Sequence, residues 1–331
     1  MTRLRRSDTS APGLSRRRRG RGFEYRGVDG ELITDPVVLE RIRALVIPPA
    51  WRDVWISPIE NGHLQAVGTD DAGRRQYLYH ERWRLRRDRE KFARMLLFAQ
   101  ALPRLRRAVA RDLAGEDLSQ DRVLACAIRM LDVGLFRVGN QVYADENGSY
   151  GLTTLERRHA QLDGRDVVLF DYTAKGGIRR RQQIRDRDVR RVVATLKQRR
   201  GGAQLLAYQQ RRAARWCPVR SEEINERIKE LTGIEQSSAK DFRTWHATVL
   251  AATHVAAADP ASSARGRERV IREAVADVSE LLGNTPTVAR NSYIDPQVFD
   301  RYRAGTTIAV DLGRKPGRKR IERAVIDLLD G

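Results

Sequence analysis

The chain has 331 residues, 41% of them hydrophobic, enough to fill the cores of two compact domains. Its 63 Lys and Arg against 43 Asp and Glu leave a formal charge of +20, which gathers phosphate polyanions and predicts a nucleic-acid partner without naming any chemistry. Two distant cysteines with no CxxC pair exclude a zinc ribbon or a disulfide framework, and no GxxxxGK[ST] loop equips the chain for nucleotide hydrolysis.

Residues 1–22, "MTRLRRSDTSAPGLSRRRRGRG", are arginine blocks with Ser, Gly and Pro and almost no large apolar side chains, a composition that predicts a disordered basic arm. From "GFEYRGVDGELITD" onward, short runs separated by DG and NG turns predict an antiparallel sheet, with "DPVVLERIRALV" as an interposed helix. The first domain is expected to span 23–90. A second, mainly helical domain over 91–305 opens with "REKFARMLLFAQALPRLRRAVARDL", whose apolar positions recur three and four apart and which should be interrupted near Pro103.

Within that helical series, "HAQLDGRDVVLFDYTAKGGIRRRQQI" alternates apolar and polar residues around DG and KGG turns, which places Lys175 at or beside a hairpin tip. "SEEINERIKELTG" has a serine N-cap candidate, early acids and a closing glycine, and a further helix begins near Ser237 or Ser238. Another, roughly 266–282, ends at Gly283. The run "NTPTVARNSYIDP" that follows reads as a loop or short turn because of its two prolines. Residues 306–331 form a basic C-terminal extension. Trp216 and Trp245 read as core, and the five histidines show no ligand spacing, so no metal site is expected.

Metal-free attack on a DNA phosphodiester sets clear demands. The phosphorane carries extra charge on its non-bridging oxygens, which suits paired guanidinium forks. The departing sugar oxygen needs a proton, which a lysine can give, and a tyrosine can be the nucleophile. The sequence holds candidates for each role, but spacing alone does not join them.

"LFRVGNQVY", the "AKGG" hairpin, "SAKDFRTWHA" and "LGNTPTVARNSYIDP" occur in this order and resemble the type IB DNA topoisomerases, in particular the small bacterial branch related to the poxviral enzymes. The resemblance runs from about Gly22 to about Tyr302 and includes "IPPAWRDVWISP" and "GRRQYLYH". It implies an α+β fold in which a small β-rich clamp domain and a larger helical catalytic domain, with a three-stranded β element, close on duplex DNA. It makes Tyr293 the nucleophile joined to a 3′ phosphate, Arg137 and Arg243 the phosphate ligands, Lys175 the general acid and Lys240 a further active-site lysine. Asn284 falls where the eukaryotic and poxviral enzymes have histidine, so it can donate a hydrogen bond but brings no charge. Gln76, Tyr77 and Tyr79, with Asn140 and Tyr143, match segments that contact DNA.

The implied activity is relaxation of positive and negative supercoils by single-strand cleavage, rotation and religation, with no ATP and no obligatory divalent metal. Double-stranded DNA is the expected partner, the protein a monomer, and its location cytoplasmic and nucleoid-associated. A tyrosine recombinase and a noncatalytic basic DNA-binding protein are the alternatives. The first usually shows HxxR where this chain has Lys240-x-x-Arg243, and the second would have no need of the tyrosine, both arginines and the hairpin lysine together.

Overall fold

The computed structural model describes residues 3–139, 141, 144, 148–210, 215–258 and 263–331, and the chain divides into two compact units, Met1–Lys91 and Phe92–Gly331. The first holds a five-stranded antiparallel sheet in the order β2-β1-β3-β4-β5, made of β1 (Leu14–Arg19), β2 (Gly22–Arg26), β3 (Arg52–Ile56), β4 (Leu64–Thr69) and β5 (Arg75–Tyr79). Helix α1 (Pro36–Ala44) starts with Pro36 in its first turn, and the Asp35 carboxylate accepts from Val37 N at 2.8 Å. Leu14, Ile42, Val54, Ile56 and Ala66 form the core of this unit.

The expected disordered arm is corrected here, because Leu14–Arg19 lies inside the sheet, paired with β2 on one side and β3 on the other. Arg19 faces Gly22 across the two-residue turn Gly20-Arg21, and Gly20 takes the left-handed conformation (φ 55°) that such a hairpin turn requires. Arginine is compatible with a strand because its stem can cover apolar surface while its head finds acceptors. Arg16 does so: its guanidinium lies 4.2 Å from the Phe23 ring centroid and donates to Ile47 O, Pro48 O and Trp51 O at 3.1, 3.0 and 2.7 Å.

The second unit is mainly helical. Helix α2 (Glu81–Leu113), which belongs to this unit from Phe92 on, continues through Pro103, where a break was expected. The proline removes one backbone donor, but Phe98, Ala99, Leu102 and Leu105 on either side of it are all buried, and their packing keeps the helix continuous. Then come α3 (Gln120–Gly134), strands β6 (Ala160–Asp163), β7 (Val167–Ala174) and β8 (Ile178–Arg185) in one antiparallel sheet of order β6-β7-β8, and α4 (Arg187–Gln198). A small pair, β9 (Ala207–Gln209) and β10 (Trp216–Pro218), precedes α5 (Ser221–Thr232), α6 (Ala239–Ala257) and α7 (Ala264–Leu282).

Of two further helices, α8 (Pro286–Ser292) occupies the run expected to be a loop or short turn and α9 (Pro296–Arg303) starts at its last residue. Its prolines begin helices instead of preventing them. Each takes the first helical position, where no intrahelical donor is needed, behind a capping side chain: Thr285 Oγ1 accepts from Val288 N at 3.3 Å and the Asp295 carboxylate from Gln297 N at 3.0 Å. The last helix, α10 (Arg318–Asp330), buries Val325, Ile326, Leu328 and Leu329 in the same core, so 306–331 is not a solvated basic extension. Trp245 is fully buried, as a core position should be, whereas Trp216 is only half-buried and packs against the core from outside. Among the described residues, no helix is long and apolar enough to cross a membrane.

Candidate active site

The site is built around one helix end. The last turn of α7 leaves carbonyls without intrahelical donors, and Gly283 closes it in the left-handed conformation (φ 60°). Three arginines from three different elements meet those carbonyls. Arg180 on β8 donates to Glu280 O and Leu281 O at 3.3 and 2.8 Å, Arg243 on α6 to Leu282 O at 2.9 Å, and Arg137 to Gly283 O at 2.8 Å. The negative end of the helix dipole faces three guanidiniums and offsets part of their mutual repulsion.

Local backbone chemistry brings Arg137 to this point. Leu135 ends α3 with φ 56°, and its carbonyl accepts from Arg243 Nη1 at 2.6 Å. Phe136 is buried and Arg137 emerges beside it. The segment then runs against Leu152–Thr154, with Leu152 N donating to Arg137 O and Thr153 N to Val138 O, both at 2.8 Å. Gly139 and Gly151 touch backbone to backbone there: a Cβ on Gly151 would fall 2.4 Å from Gly139 Cα, and one on Gly139, the glycine of "LFRVGN" (φ 99°), would fall 2.8 Å from Thr153 Oγ1 and 3.1 Å from the Gly151 carbonyl carbon, so close approach requires both glycines.

Arg137 Nη2 also donates to Asn284 Oδ1 at 2.6 Å. That commitment fixes the amide, whose Nδ2 is buried with no hydrogen-bond partner, as is Nε of Arg243. Other buried donors, Trp245 Nε1 among them, are likewise unpaired; of the two here, the Arg243 guanidinium is the one seen against the Tyr293 ring. Burial pushes the Arg243 guanidinium down to about 10 against the opposing pull of Tyr293, with Arg137 and Arg180 adding like-charge repulsion. Burial lowers Arg137 as well. An anion placed among these groups would relieve that cost.

Tyr293 follows α8 as its C-cap, with φ −126°, and its half-buried side chain packs against the core. Arg243 Cζ lies 5.4 Å and Lys240 Nζ 5.9 Å from its ring centroid. Their spacing of three along α6 puts both cations on the face that meets the ring. Thr248 on the same helix donates to Tyr293 O at 3.4 Å and accepts from Asp295 N at 3.1 Å, which fixes the backbone on either side of Ile294.

The structure therefore unites Tyr293, Arg137, Arg243, Asn284 and Lys240. Lys175 is exposed at the tip of the β7–β8 hairpin, where Gly176 (φ 83°) and Gly177 (φ 74°) make the turn and Gly177 N donates to Ala174 O at 3.1 Å. Arg180 was missed by sequence reasoning because it is one of three consecutive arginines on β8. Strand alternation separates them: Arg179 and Arg181 pair with exposed Asp171, while Arg180 turns to α7.

In the first unit, Tyr77 and Tyr79 are 47% and 48% exposed on edge strand β5 and stack on each other with centroids 6.3 Å apart. A bare aromatic pair on an edge strand suits contact with a partner. Gln76 lies on the opposite face of the strand and donates to Asp70 Oδ2 at 2.9 Å, so it does not share a surface with the tyrosines. Asn140 and Tyr143 lie outside the described residues.

His246 is set apart from Arg137, Arg243 and Asn284. Its Nε2 lies 3.2 Å from Asp132 Oδ1 in a network where Arg106 bridges Asp132 and Glu322 and Arg318 of α10 reaches the same two carboxylates. Burial lowers the imidazole below its usual value despite Asp132. Hydrogen bonds from His246 and Arg106 hold the Asp132 carboxyl well below the usual range although burial opposes them. Among the described residues, no three His, Cys, Asp or Glu side chains are grouped so as to hold a metal ion.

Comparison with known proteins points the same way as this geometry. A model of the catalytic core of eukaryotic DNA topoisomerase I matches residues 80–308, and one of the N-terminal domain of bacterial DNA topoisomerase IB matches residues 22–70. DNA topoisomerase 1B of Acanthamoeba polyphaga mimivirus is 28% identical over 295 residues, covering 88% of this chain and 87% of the viral protein. DNA topoisomerase 1 of Mycosarcoma maydis is 21% identical over 224 residues, or 61% of this chain and 22% of that protein.

Proposed function

From the premise that this chain belongs to the type IB DNA topoisomerases, we propose that it relaxes supercoils of either sign without ATP, through a 3′-phosphotyrosyl intermediate on Tyr293. The family assignment carries the coarser statement: the protein is a topoisomerase that cleaves and religates DNA. The observation that most supports the finer one is the convergence of Arg137, Arg243 and Asn284 at the end of α7, with buried donors of Asn284 and Arg243 unpaired and the Arg243 guanidinium against the Tyr293 ring.

In this reading the Tyr293 phenol loses its proton to solvent, its oxygen attacks phosphorus, the bond from phosphorus to O5′ breaks, and the Lys175 ammonium gives its proton to the departing oxygen. The guanidiniums of Arg137 and Arg243 and the amide of Asn284 donate to the non-bridging oxygens as charge builds there. Lys240, exposed beside the Tyr293 ring, adds positive potential at the nucleophile's edge. The phosphotyrosyl bond keeps the energy of the phosphodiester, so the freed 5′ end can swivel and then attack in the reverse sense. Every group needed belongs to the chain, which supports chemistry with no obligatory metal.

Tyr77 and Tyr79 would contact the duplex, and the protein would act as a monomer in the cytoplasm, associated with the nucleoid. The match of residues 22–70 to a topoisomerase N-terminal domain favours this reading over a recombinase. The test is supercoiled plasmid in EDTA without ATP. Relaxation by the parent and none by Tyr293→Phe is expected; equal activity in both would remove Tyr293 from its role.

A further inference from the structure

We propose that Arg180 is the positioning residue that holds the Lys175 hairpin in register with the phosphate-binding groups. This rests on the general-acid role of Lys175 given above. Strands β7 and β8 pair without a break from Val167↔Arg185 to Ala174↔Ile178, and the turn that carries Lys175 begins immediately beyond the last pair. Fixing one rung of such a ladder fixes the tip. Arg180 pairs with Tyr172, two rungs from the end, and its fork clasps Glu280 O and Leu281 O. Gln182 makes a second tie, to Gly134 O at 2.5 Å, but two rungs further from the tip.

The far end of the Arg180 clasp matters as much as the near one. The same turn of α7 is gripped by Arg243 at Leu282 O and by Arg137 at Gly283 O, and it leads directly into Asn284. One helical turn therefore connects the proton donor's hairpin to the groups that bind the phosphate. Gly283 leaves room for this: a Cβ there would fall 2.9 Å from Arg180 Nη1. With its fork committed to α7, Arg180 acts through Lys175 rather than on the nucleophile.

Single-turnover cleavage by the full-length protein tests the assignment, with duplexes whose scissile 5′ bridging atom is oxygen or sulfur. A thiolate leaves without a proton, so a defect that arises from a misplaced acid disappears with sulfur. Arg180→Ala should cleave the oxygen substrate about tenfold to a hundredfold more slowly, the range expected when a catalytic group is displaced by about 1 Å. It should come close to the parent rate on the sulfur substrate. Arg180→Lys, which can satisfy one carbonyl but not both in the same fork, should be intermediate. Equal defects on both substrates would mean that Arg180 serves the phosphate or the fold, and an undiminished rate would mean that it serves neither; either overturns the proposal. Lys175→Ala in parallel separates the two readings. If sulfur rescues Lys175→Ala but not Arg180→Ala, only the Arg180 assignment fails; if it rescues neither, the general-acid role fails and takes the Arg180 assignment with it.

Discussion

One nitrogen of Arg137, Nη2, donates both to Gly283 O at 2.8 Å and to Asn284 Oδ1 at 2.6 Å, so the amide of Asn284 is oriented by the arginine beside it. Its oxygen is spoken for, and its Nδ2 is the end left to donate. The two side chains therefore act as a unit in which one sets the direction of the other.

Three substitutions at Asn284 follow from that orientation. Asn284→Ala should slow cleavage about tenfold to a hundredfold, the worth of one hydrogen bond to a charged group. Asn284→Asp should be slower still, because a carboxylate can accept from Arg137 but cannot donate and repels the phosphate. Asn284→His should work best as neutral imidazole, which can accept from Arg137 with one nitrogen and donate with the other, so its rate should fall as pH drops below about 6.5. Single-turnover cleavage across pH measures all three; an Asn284→Asp rate above that of Asn284→Ala would refute the assigned direction.

Arg243 should prove more costly to remove than Arg137 in folding as well as catalysis. It is 4% exposed and bridges Leu135 O at the end of α3 to Leu282 O at the end of α7. Arg243→Ala strands two buried carbonyls at roughly 1–3 kcal/mol each, and Arg243→Lys cannot span both. Arg137→Ala, at a half-buried position, should abolish cleavage with a smaller loss of stability. Urea denaturation of the two alanine variants is the comparison, and equal midpoints would contradict it.

The network around Asp132 predicts how stability depends on pH. Asp132 and Glu322 are both held below their ordinary values: burial opposes the shift in each, and hydrogen bonds from His246 and Arg106 to Asp132, and from Arg106 to Glu322, overcome it. Their contribution is complete above the ordinary carboxylate range near pH 4 and is lost as pH falls further. His246 is also lowered, by burial first, so the unfolded chain takes up protons before the folded one and stability should decline as pH drops below about 6.5. Asp132→Asn should cost about 3–5 kcal/mol near neutrality and flatten the acid limb. Deleting 306–331 should unfold the second unit rather than merely weaken DNA binding, a result that circular dichroism reads directly.

Removal of residues 1–22 should likewise unfold the first unit, since it takes out a strand flanked on both sides. A cleaner test of charge is to neutralise Arg17, Arg18 and Arg19, which are exposed on β1, and leave Arg16, which is tied to three carbonyls. For every DNA phosphate that the variant no longer neutralises, the slope of log affinity against log salt should shrink by about 0.9, while cleavage of bound DNA continues. Arg16→Ala should instead lower the unfolding midpoint. An unchanged salt slope in the triple variant would place the DNA elsewhere.

Much of this molecule was determined by sequence alone. Periodicity and turn residues gave the α+β organisation, the helix that ends at Gly283 and the hairpin bearing Lys175, because these depend on local backbone preferences. Four ordered motifs named Tyr293, Arg137, Arg243, Asn284 and Lys240 as candidates, because type and order of residue survive in a linear string.

Composition misled where tertiary contacts outweigh it. The arginine run of β1 has the make-up of a free arm, yet Arg16 finds three carbonyls and an aromatic face that are distant in sequence. The prolines at 286 and 296 read as breakers but begin helices, because capping side chains lie directly before them. What only the tertiary structure decided is which arginine does what. Arg180 sits between two arginines that pair with Asp171, and nothing in "IRRRQQI" distinguishes it; the distinction comes from strand alternation and from a helix end a hundred residues away in sequence, whose terminal carbonyls draw Arg180, Arg243 and Arg137 to one place.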